Sequence, residues 1–437
     1  MKVLKFGGTS LGSAERMKNV AGLIQARGKN LVVLSAVSGA TNTLIEISDY
    51  LYKKNSDGAN EIINQLEQDY ISRCGELFQT AEYLNQAIDS LRVHFKYIRS
   101  FTKDLFTLFE EKTILAQGEL LSTMIMHLYL QEQNVKAAII PALEFMRTDK
   151  NAEPDASYIK EKLAKQLEKN AEASVFLTEG FICLNAYGEI DNLQRGGSDY
   201  SASLIGAAIE AEEIQIWTDI DGMHNNDPRY VENTSPVRNL HFEEAAELAY
   251  FGAKILHPTC ILPAKLSNIP VRLLNTLEPE APGTLISNQT EKGAIKAVAA
   301  KDNITVIKIK SGRMLMAYGF LRKVFEIFES YQTSIDMVVT SEVGVSVTID
   351  NIKNVDGIVN DLKKFGTVSV EKDMVIICVV GDLEWKNVGF ETKTLDAMKD
   401  IPVKMISYGG SNYNISFLVK SEDKQKALQS LSDNLFN

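Results

Sequence analysis

Residues 1–45 run twice through one pattern: a short apolar strand, a loop of small residues, then the start of a helix. In the first round Val3, Leu4 and Phe6 form the strand. Gly7-Gly8 breaks it, and Thr9-Ser10 leads towards a helix over Ala14 to Gln25. In the second round the run Leu31 to Ser35 (LVVLS) passes into Ala36-Val37-Ser38-Gly39-Ala40-Thr41-Asn42 and another helix. A continuously apolar strand is the signature of a parallel strand buried under helices on both faces. In open α/β sheets ligands collect at the carboxyl edge of the strands, where both loops fall. A strand that ends in glycines before a helix also leaves backbone N–H groups free to hold phosphate. Lys5 stands two residues before Gly7, within reach of the same place.

The pattern persists further along. Ala137 to Pro141 and Val175 to Thr178 are strand candidates, the second leading into Glu179-Gly180-Phe181-Ile182. A second glycine loop, Arg195-Gly196-Gly197-Ser198-Asp199, opens an alanine-rich helix to Ala211. Ile214 to Thr218 is a further strand, followed by turns holding Asp219, Asp221 and Asp227-Pro228-Arg229. A helix over Phe242 to Phe251 runs into Gly252-Ala253-Lys254, Val271 to Leu274 closes the region, and Pro279 to Gly283 marks a boundary. Residues 56–112 are helical by pattern, and their aromatic stripe (Tyr70, Phe78, Phe95 and others) reads as core. Gln117-Gly118-Glu119 has the chemistry of a helix start.

After about residue 293 the style changes. Two successive βαββα units, over 304–370 and 374–431, form an internal repeat of a small module. Ile295 to Ala299 remains as a strand that must pair within this region.

Net charge bears on partners. At −11 over 437 residues the chain makes a poor general partner for nucleic acid, so any anion site must gather positive charge locally. Lys5 and Arg195, each beside a glycine loop, are the groups to name. The four cysteines are far apart and lack a Cys-x-x-Cys, as for buried thiols in a reducing compartment. No apolar run approaches the ~18 residues of a membrane span, and charge and glycines interrupt the N-terminus. A cytoplasmic protein is expected. No Walker A, Gly-x-Gly-x-x-Gly or Gly-x-Ser-x-Gly occurs, and no His/Cys spacing reads as a metal site. Two glycine loops flanked by Lys5, Arg195 and Asp199 therefore point to phosphoryl transfer outside the P-loop, protein-kinase and Rossmann classes.

The ordered set Lys5-Phe6-Gly7-Gly8-Thr9-Ser10, Leu34-Ser35-Ala36, Thr41-Asn42, Gly118-Glu119-Leu120, Gly180-Phe181, Arg195-Gly196-Gly197-Ser198-Asp199, Trp217-Thr218-Asp219, Asp227-Pro228-Arg229 and Phe251-Gly252-Ala253-Lys254 resembles aspartokinases of the amino-acid kinase superfamily. The repeat resembles a pair of ACT domains, and the closing Ser-x-Asn-Leu-Phe is similar to the monofunctional, lysine-sensitive class. The resemblance covers essentially the whole chain. It implies an α/β fold, a three-layer α/β/α sandwich on a mostly parallel sheet, with a C-terminal α+β ferredoxin-like region. The implied kinase domain spans 1–292. The regulatory region spans 293–437, with a first ACT module (303–373) inserted in a second made of 293–302 and 374–437.

The implied reaction carries the ATP γ-phosphoryl group to the side-chain carboxylate of L-aspartate, the first step towards lysine, threonine and methionine. Mg2+ accompanies the nucleotide and lysine acts as inhibitor. Lys5 would neutralise the transferring phosphoryl group, with Gly7, Gly8, Thr9, Ser10, Gly196 and Gly197 forming the phosphate loops. Asp199 would orient Lys5 or the incoming carboxylate, and Arg195 would clamp a substrate carboxylate. Glu119 would take the α-ammonium, with Ser35, Thr41, Phe181 and Ser198 completing the pocket. Thr218, Asp219, His224, Arg229, Lys254 and Ile255 would hold the nucleotide, His224 standing where the family often has an aromatic. Met314, Phe320, Leu321, Ser334, Ile335, Asp336, Ser341 and Glu342 match the effector site, where Ala317 replaces a serine of lysine-sensitive relatives. The implied assembly is a homo-oligomer, a dimer through the ACT region. The rival readings are a kinase for N-acetylglutamate, glutamate or carbamate, and a catalytically inactive amino-acid sensor.

Overall fold

The structure is a computed structural model that describes residues 1–103, 105–193, 196–252, 258–311 and 318–436. The chain divides into two compact units, Met1–Met223 with Leu256–Asn288, and His224–Ile255 with Gln289–Asn437.

In the first unit the Lys2–Phe6 strand lies between Asn30–Leu34 and Ile214–Thr218, parallel to both. Val175–Glu179 and then Ala137–Ile139 extend the parallel sheet beyond Asn30–Leu34. Val271–Asn275 continues it in parallel beyond Ile214–Thr218, and Thr284–Ser287 pairs antiparallel with Val271–Asn275. The strands predicted from continuous apolar runs are the covered ones: every residue of Asn30–Leu34 and of Val175–Glu179 is buried. The sheet is the middle layer of an α/β/α sandwich. Because the first strand is central, the Gly7-Gly8 loop falls in the middle of the carboxyl edge.

The long helical region resolves into Ser56–Leu77, Ala81–Ser100 and Leu108–Glu132. Tyr70 and Phe95 meet edge to face at 6.0 Å and are buried, as their spacing predicts. One expectation is corrected. Glu119 does not begin a helix but sits inside Leu108–Glu132, whose start is fixed by a Thr107–Glu110 capping box. Gly118 breaks no helix either. A Cβ there would come within 2.8 Å of the Ala36 side chain, so glycine lets this helix lie against the Ser35–Gly39 loop.

Among the described residues the second unit is built on a six-stranded antiparallel sheet flanked by five helices, Phe242–Tyr250, Phe320–Ser330, Val355–Leu362, Phe390–Ala397 and Lys424–Leu435. The sheet order is Val338–Ser341, Gly344–Ile349, Ile295–Lys310, Thr367–Gly381, Asn414–Lys420, Met405–Tyr408. Ile295–Lys310 is one strand that serves both modules. Its first half, Ile295 to Lys301, pairs with Ile376 to Gly381, and its second half, Ile304 to Lys310, with Thr367 to Met374. The two expected strands around Glu371-Lys372-Asp373 are likewise one strand, kinked where Asp373 adopts a φ of 57°. Each module has its own core, one around Phe328 and Ile358, the other around Phe417 and Leu428. Val231, from the stretch before the Phe242–Tyr250 helix, is buried in the latter core. Among the described residues no helix is long and apolar enough to cross a membrane.

Candidate active site

Lys5 reaches from the central strand to the first turn of the Gly197–Ala208 helix, where its Nζ lies 2.6 Å from Asp199 Oδ1. Both side chains are mostly buried. An acid in a first helical turn is favoured by the helix dipole, so Asp199 is held as a fixed anion beside the lysine. Gly196 and Gly197 have φ of 77° and 48°, the left-handed region where a side chain is strained. Their N–H groups are among those a helix start leaves unpaired. Gly8 is required for another reason: a Cβ there would lie 2.7 Å from the Ala36 carbonyl oxygen, so the two strand-end loops touch backbone to backbone.

Gly180 and Ser198 approach in the same way, a Cβ on Gly180 falling 2.3 Å from Ser198 Cβ. This close passage forces Phe181 into an unusual φ of 67°. The conformation is locked from both sides. The Phe181 N–H donates to Ser201 Oγ at 2.9 Å, and its carbonyl accepts from the Leu193 N–H at 2.7 Å.

These loops enclose a cavity of about 390 Å³ lined by Gly8, Thr9, Ser35, Thr41, Glu119, Phe181, Gly197 and Ser198, together with the Ala36–Gly39 loop. The expected aspartate pocket and the glycines of both phosphate loops thus share one wall. Ser10 does not face it. Ser10 is buried, its hydroxyl 3.4 Å from Thr276 Oγ1, which donates to the Thr218 carbonyl. It braces strand ends.

Glu119 is the chemically unusual group. Its side chain is buried, Oε1 accepts the Ala36 N–H at 3.1 Å, and Oε2 has no partner among the described residues. Burial pushes the carboxyl up to about 8. The neighbouring Glu179 adds to the rise, while the Ala36 N–H and Lys5 oppose it. Glu179, equally buried, accepts the Ala142 N–H at 2.7 Å and is pushed up by burial to about 7. Glu179 was not among the residues singled out. Its one signal is an acid closing an otherwise apolar strand, directly before Gly180-Phe181.

Residues 1–275 match the Amino acid kinase family, and residues 377–435 match an ACT domain. Aspartokinase 1 of the Arabidopsis thaliana chloroplast is 36% identical over 459 residues, which cover 99% of this chain and 80% of that protein. The structure of E. coli aspartokinase III in complex with aspartate and ADP, its R-state, superposes with a TM-score of 0.86 at 31% identity over 100% of both chains. The same enzyme with lysine and aspartate, its T-state, gives 0.83 at 32% identity, again over 100% of both. The chain belongs to the aspartokinases.

As an aspartokinase the protein is an ATP-dependent kinase for the aspartate side-chain carboxylate. Two residues of the expected nucleotide set lie in the first unit. Thr218 ends the strand beside Lys2–Phe6, with its hydroxyl 3.1 Å from Asp219 Oδ1, and Asp219 is exposed. Two more belong to the second unit. His224 Nδ1 is 2.9 Å from Thr234 Oγ1, and exposed Arg229 forks onto Asp227 with contacts of 2.9 and 2.6 Å. Arg195, Lys254, Ile255, Met314 and Ala317 lie outside the described residues.

The remaining effector residues are spread over one module. Phe320 is buried and Leu321 exposed at the start of the Phe320–Ser330 helix. Ser334, Ile335 and Asp336 precede the Val338–Ser341 strand, and Ser341-Glu342 forms the exposed turn at its other end. At ~3.3 Å per residue the strand keeps Asp336 and Glu342 well apart. The Asp336 side chain is 1% exposed and already occupied, with Oδ1 2.7 Å from Lys301 Nζ and accepting from Tyr250 Oη at 2.7 Å.

Proposed function

We propose that this aspartokinase transfers the γ-phosphoryl group of Mg-ATP to L-aspartate, giving 4-phospho-L-aspartate, and that lysine inhibits it. The observation that carries the reading is the Lys5–Asp199 ion pair beside a single cavity that also holds both glycine loops and Glu119. Aspartate's side-chain carboxylate is ionised at pH 7, so the attack on phosphorus needs no strong general base. What it needs is positive charge and N–H donors where the phosphoryl oxygens gather charge. Lys5 and the amides of Gly8, Gly196 and Gly197 supply them, while the Gly7 N–H donates to the Trp217 carbonyl at 3.4 Å. Asp199 keeps Lys5 pointed at the phosphate. Glu119 receives the α-ammonium, Arg195 a substrate carboxylate, and Ser35, Thr41, Phe181 and Ser198 shape the pocket. Thr218, Asp219, His224, Arg229, Lys254 and Ile255 serve the nucleotide.

Among the described residues no group of three or more His, Cys, Asp or Glu is placed to hold a metal. Mg2+ enters with the nucleotide, whose phosphate oxygens supply the hard ligands it prefers. The E. coli relative's structures with aspartate and ADP, and with lysine and aspartate, support the substrate and effector assignments. The kinase domain is taken as 1–292 and the ACT region as 293–437. The ACT region is the surface through which two copies pair in the cytoplasm.

The test is ADP release with aspartate, glutamate and N-acetylglutamate as acceptors, with hydroxylamine trapping the acyl phosphate, with and without lysine or threonine. Product from aspartate alone, suppressed by lysine, is expected. Trapped product from glutamate or acetylglutamate but none from aspartate overturns the reading.

A further inference from the structure

Glu179 has no place in the roles above, yet it is a buried acid at the wall of the acceptor pocket. It closes the Val175–Glu179 strand, is 3% exposed, and stands opposite Leu34 in the register. Two residues after Leu34, the Ala36 N–H donates to Glu119. The Leu108–Glu132 helix that carries Glu119 packs against both strands. Two carboxyls are thus fixed side by side in the interior, each holding one backbone N–H (Ala36 for Glu119, Ala142 for Glu179). Like charges this close, away from water, do not ionise independently.

We propose that Glu179 is a positioning residue for acceptor binding: its charge shifts the pH at which the buried Glu119 passes from carboxylic acid to carboxylate in the encounter. The inference rests on the reading that Glu119 takes the α-ammonium of aspartate. In the empty site burial holds the Glu119 proton, and Glu179, once ionised, adds to that hold. The arriving ammonium pairs with the Glu119 carboxylate, and the displaced proton leaves to solvent. One Glu119 O–H bond breaks, no covalent bond forms with the ligand, and one proton is released per aspartate bound.

The other groups facing Glu119 do not do this. Lys5 from the central strand favours its carboxylate but is committed to Asp199. Tyr70, from the Ser56–Leu77 helix, is buried with its phenol held neutral, and Arg73 acts on that phenol. Among the described residues that leaves Glu179 as the neighbour whose charge adds to the hold burial has on the Glu119 proton.

The experiment measures the aspartate KM from pH 6 to 9 in the parent, in Glu179→Gln and in Glu119→Gln. Calorimetric aspartate titrations in two buffers of different ionisation enthalpy count the protons released. Glutamine still offers an oxygen to the Ala142 N–H, so the variant removes charge and keeps the contact. In the parent, KM rises as pH falls below 8. In Glu179→Gln that rise moves to lower pH, KM at pH 7.5 falls about two- to threefold, and the two proteins converge above pH 8.5 and again towards pH 6, where Glu179 has itself taken up a proton. Proton release at pH 7 drops correspondingly. If Glu179→Gln keeps the parent's pH profile and proton count while Glu119→Gln loses aspartate affinity, the inference fails and the Glu119 assignment stands. If Glu119→Gln binds aspartate as the parent does, the assignment itself fails. Glu179→Leu is the structural control. A KM raised equally at every pH in Glu179→Leu, with Glu179→Gln unchanged, leaves Glu179 as a brace for Ala142 and overturns the proposal.

Discussion

Each unit buries a carboxylate with one oxygen unpartnered, and the two are handled in opposite ways. Asp336 in the second unit is neutralised by its own chain: Lys301 sits 2.7 Å away and Tyr250 donates to the same oxygen. Among the described residues Glu119 in the first unit has a single backbone N–H, and Lys5, the cation that acts on it, is held by Asp199. A buried charge with an internal partner is a structural device. A buried acid without one holds its proton and is poised to exchange it for a cation from outside. Cationic ligands should therefore be taken up at Glu119 in exchange for one proton, whereas at Asp336 they must first remove Lys301.

The largest effect is expected from the cation that the first unit does fix. Lys5→Ala should lower kcat about a hundred- to a thousandfold, as when one preorganised donor to a transition-state charge is removed. Aspartate KM should move far less, since the charge matters most in transfer. Near-normal turnover in Lys5→Ala would remove the basis for calling this ion pair catalytic.

Next comes Glu119→Gln, which tests the poised acid directly. Above pH 8 it should raise aspartate KM about thirtyfold or more, from roughly 2 kcal/mol for a buried charge pair losing one partner. The KM profile should also flatten with pH. Stability should change in the other direction. The folded state holds the Glu119 proton up to about 8, while the unfolded chain releases it near 4.5. The parent therefore loses stability as pH rises through that window, and Glu119→Gln does not. A Tm advantage of Glu119→Gln that grows from pH 5 to pH 8 checks the sign. An advantage that shrinks instead would mean the carboxyl is ionised in the folded state.

Lys301→Ala sharpens the comparison from the other side. It leaves Asp336 buried with only Tyr250 for a partner, at a cost of about 3 kcal/mol, and should lower the Tm of the second unit by several degrees. Replacing both groups by apolar residues, Lys301→Met with Asp336→Leu, should recover most of that loss. No destabilisation in Lys301→Ala would mean that Asp336 is as poised as Glu119, and the contrast would collapse.

What the sequence made legible follows the range over which each signal acts. Continuous apolar runs such as Leu31 to Ser35 announce buried parallel strands because burial on both faces leaves no room for polar alternation. The glycine loops announce their own backbone demands: Gly196 and Gly197 adopt left-handed φ, and Gly8 and Gly180 lie where a Cβ would strike another loop. Less legible were features set by remote partners. Gly118 looks like a helix breaker, but here it lets a helix interior pass Ala36. Glu371-Lys372-Asp373 looks like a break between strands, but a single positive φ at Asp373 carries the strand through. The burial of Val231 in an ACT core depends on residues such as Val375 and Leu428, far along the chain. The importance of Glu179 depends on Glu119, which reaches it from another helix. Local patterns do not encode such pairs.

The smallest expected effect decides where the effector's charge is read. If lysine binds the first module, its side-chain ammonium needs a carboxylate that has not been neutralised by the chain. Glu342 qualifies, exposed on the turn after the edge strand Val338–Ser341, whereas Asp336 is tied to Lys301. That strand pairs on one side with Gly344–Ile349 and lies close to Met405–Tyr408, the other edge strand of the same sheet. An exposed charge contributes only a fraction of what a buried one does, so Glu342→Ala should shift the lysine response by a few-fold to tenfold, with uninhibited kcat and aspartate KM unchanged. Asp336→Asn should act mainly on stability. The decisive measurement is lysine inhibition of both variants beside their thermal unfolding. Lysine sensitivity lost in Asp336→Asn at normal Tm, and retained in Glu342→Ala, would show that the effector displaces Lys301 after all, and the two buried carboxylates would then be variants of one device.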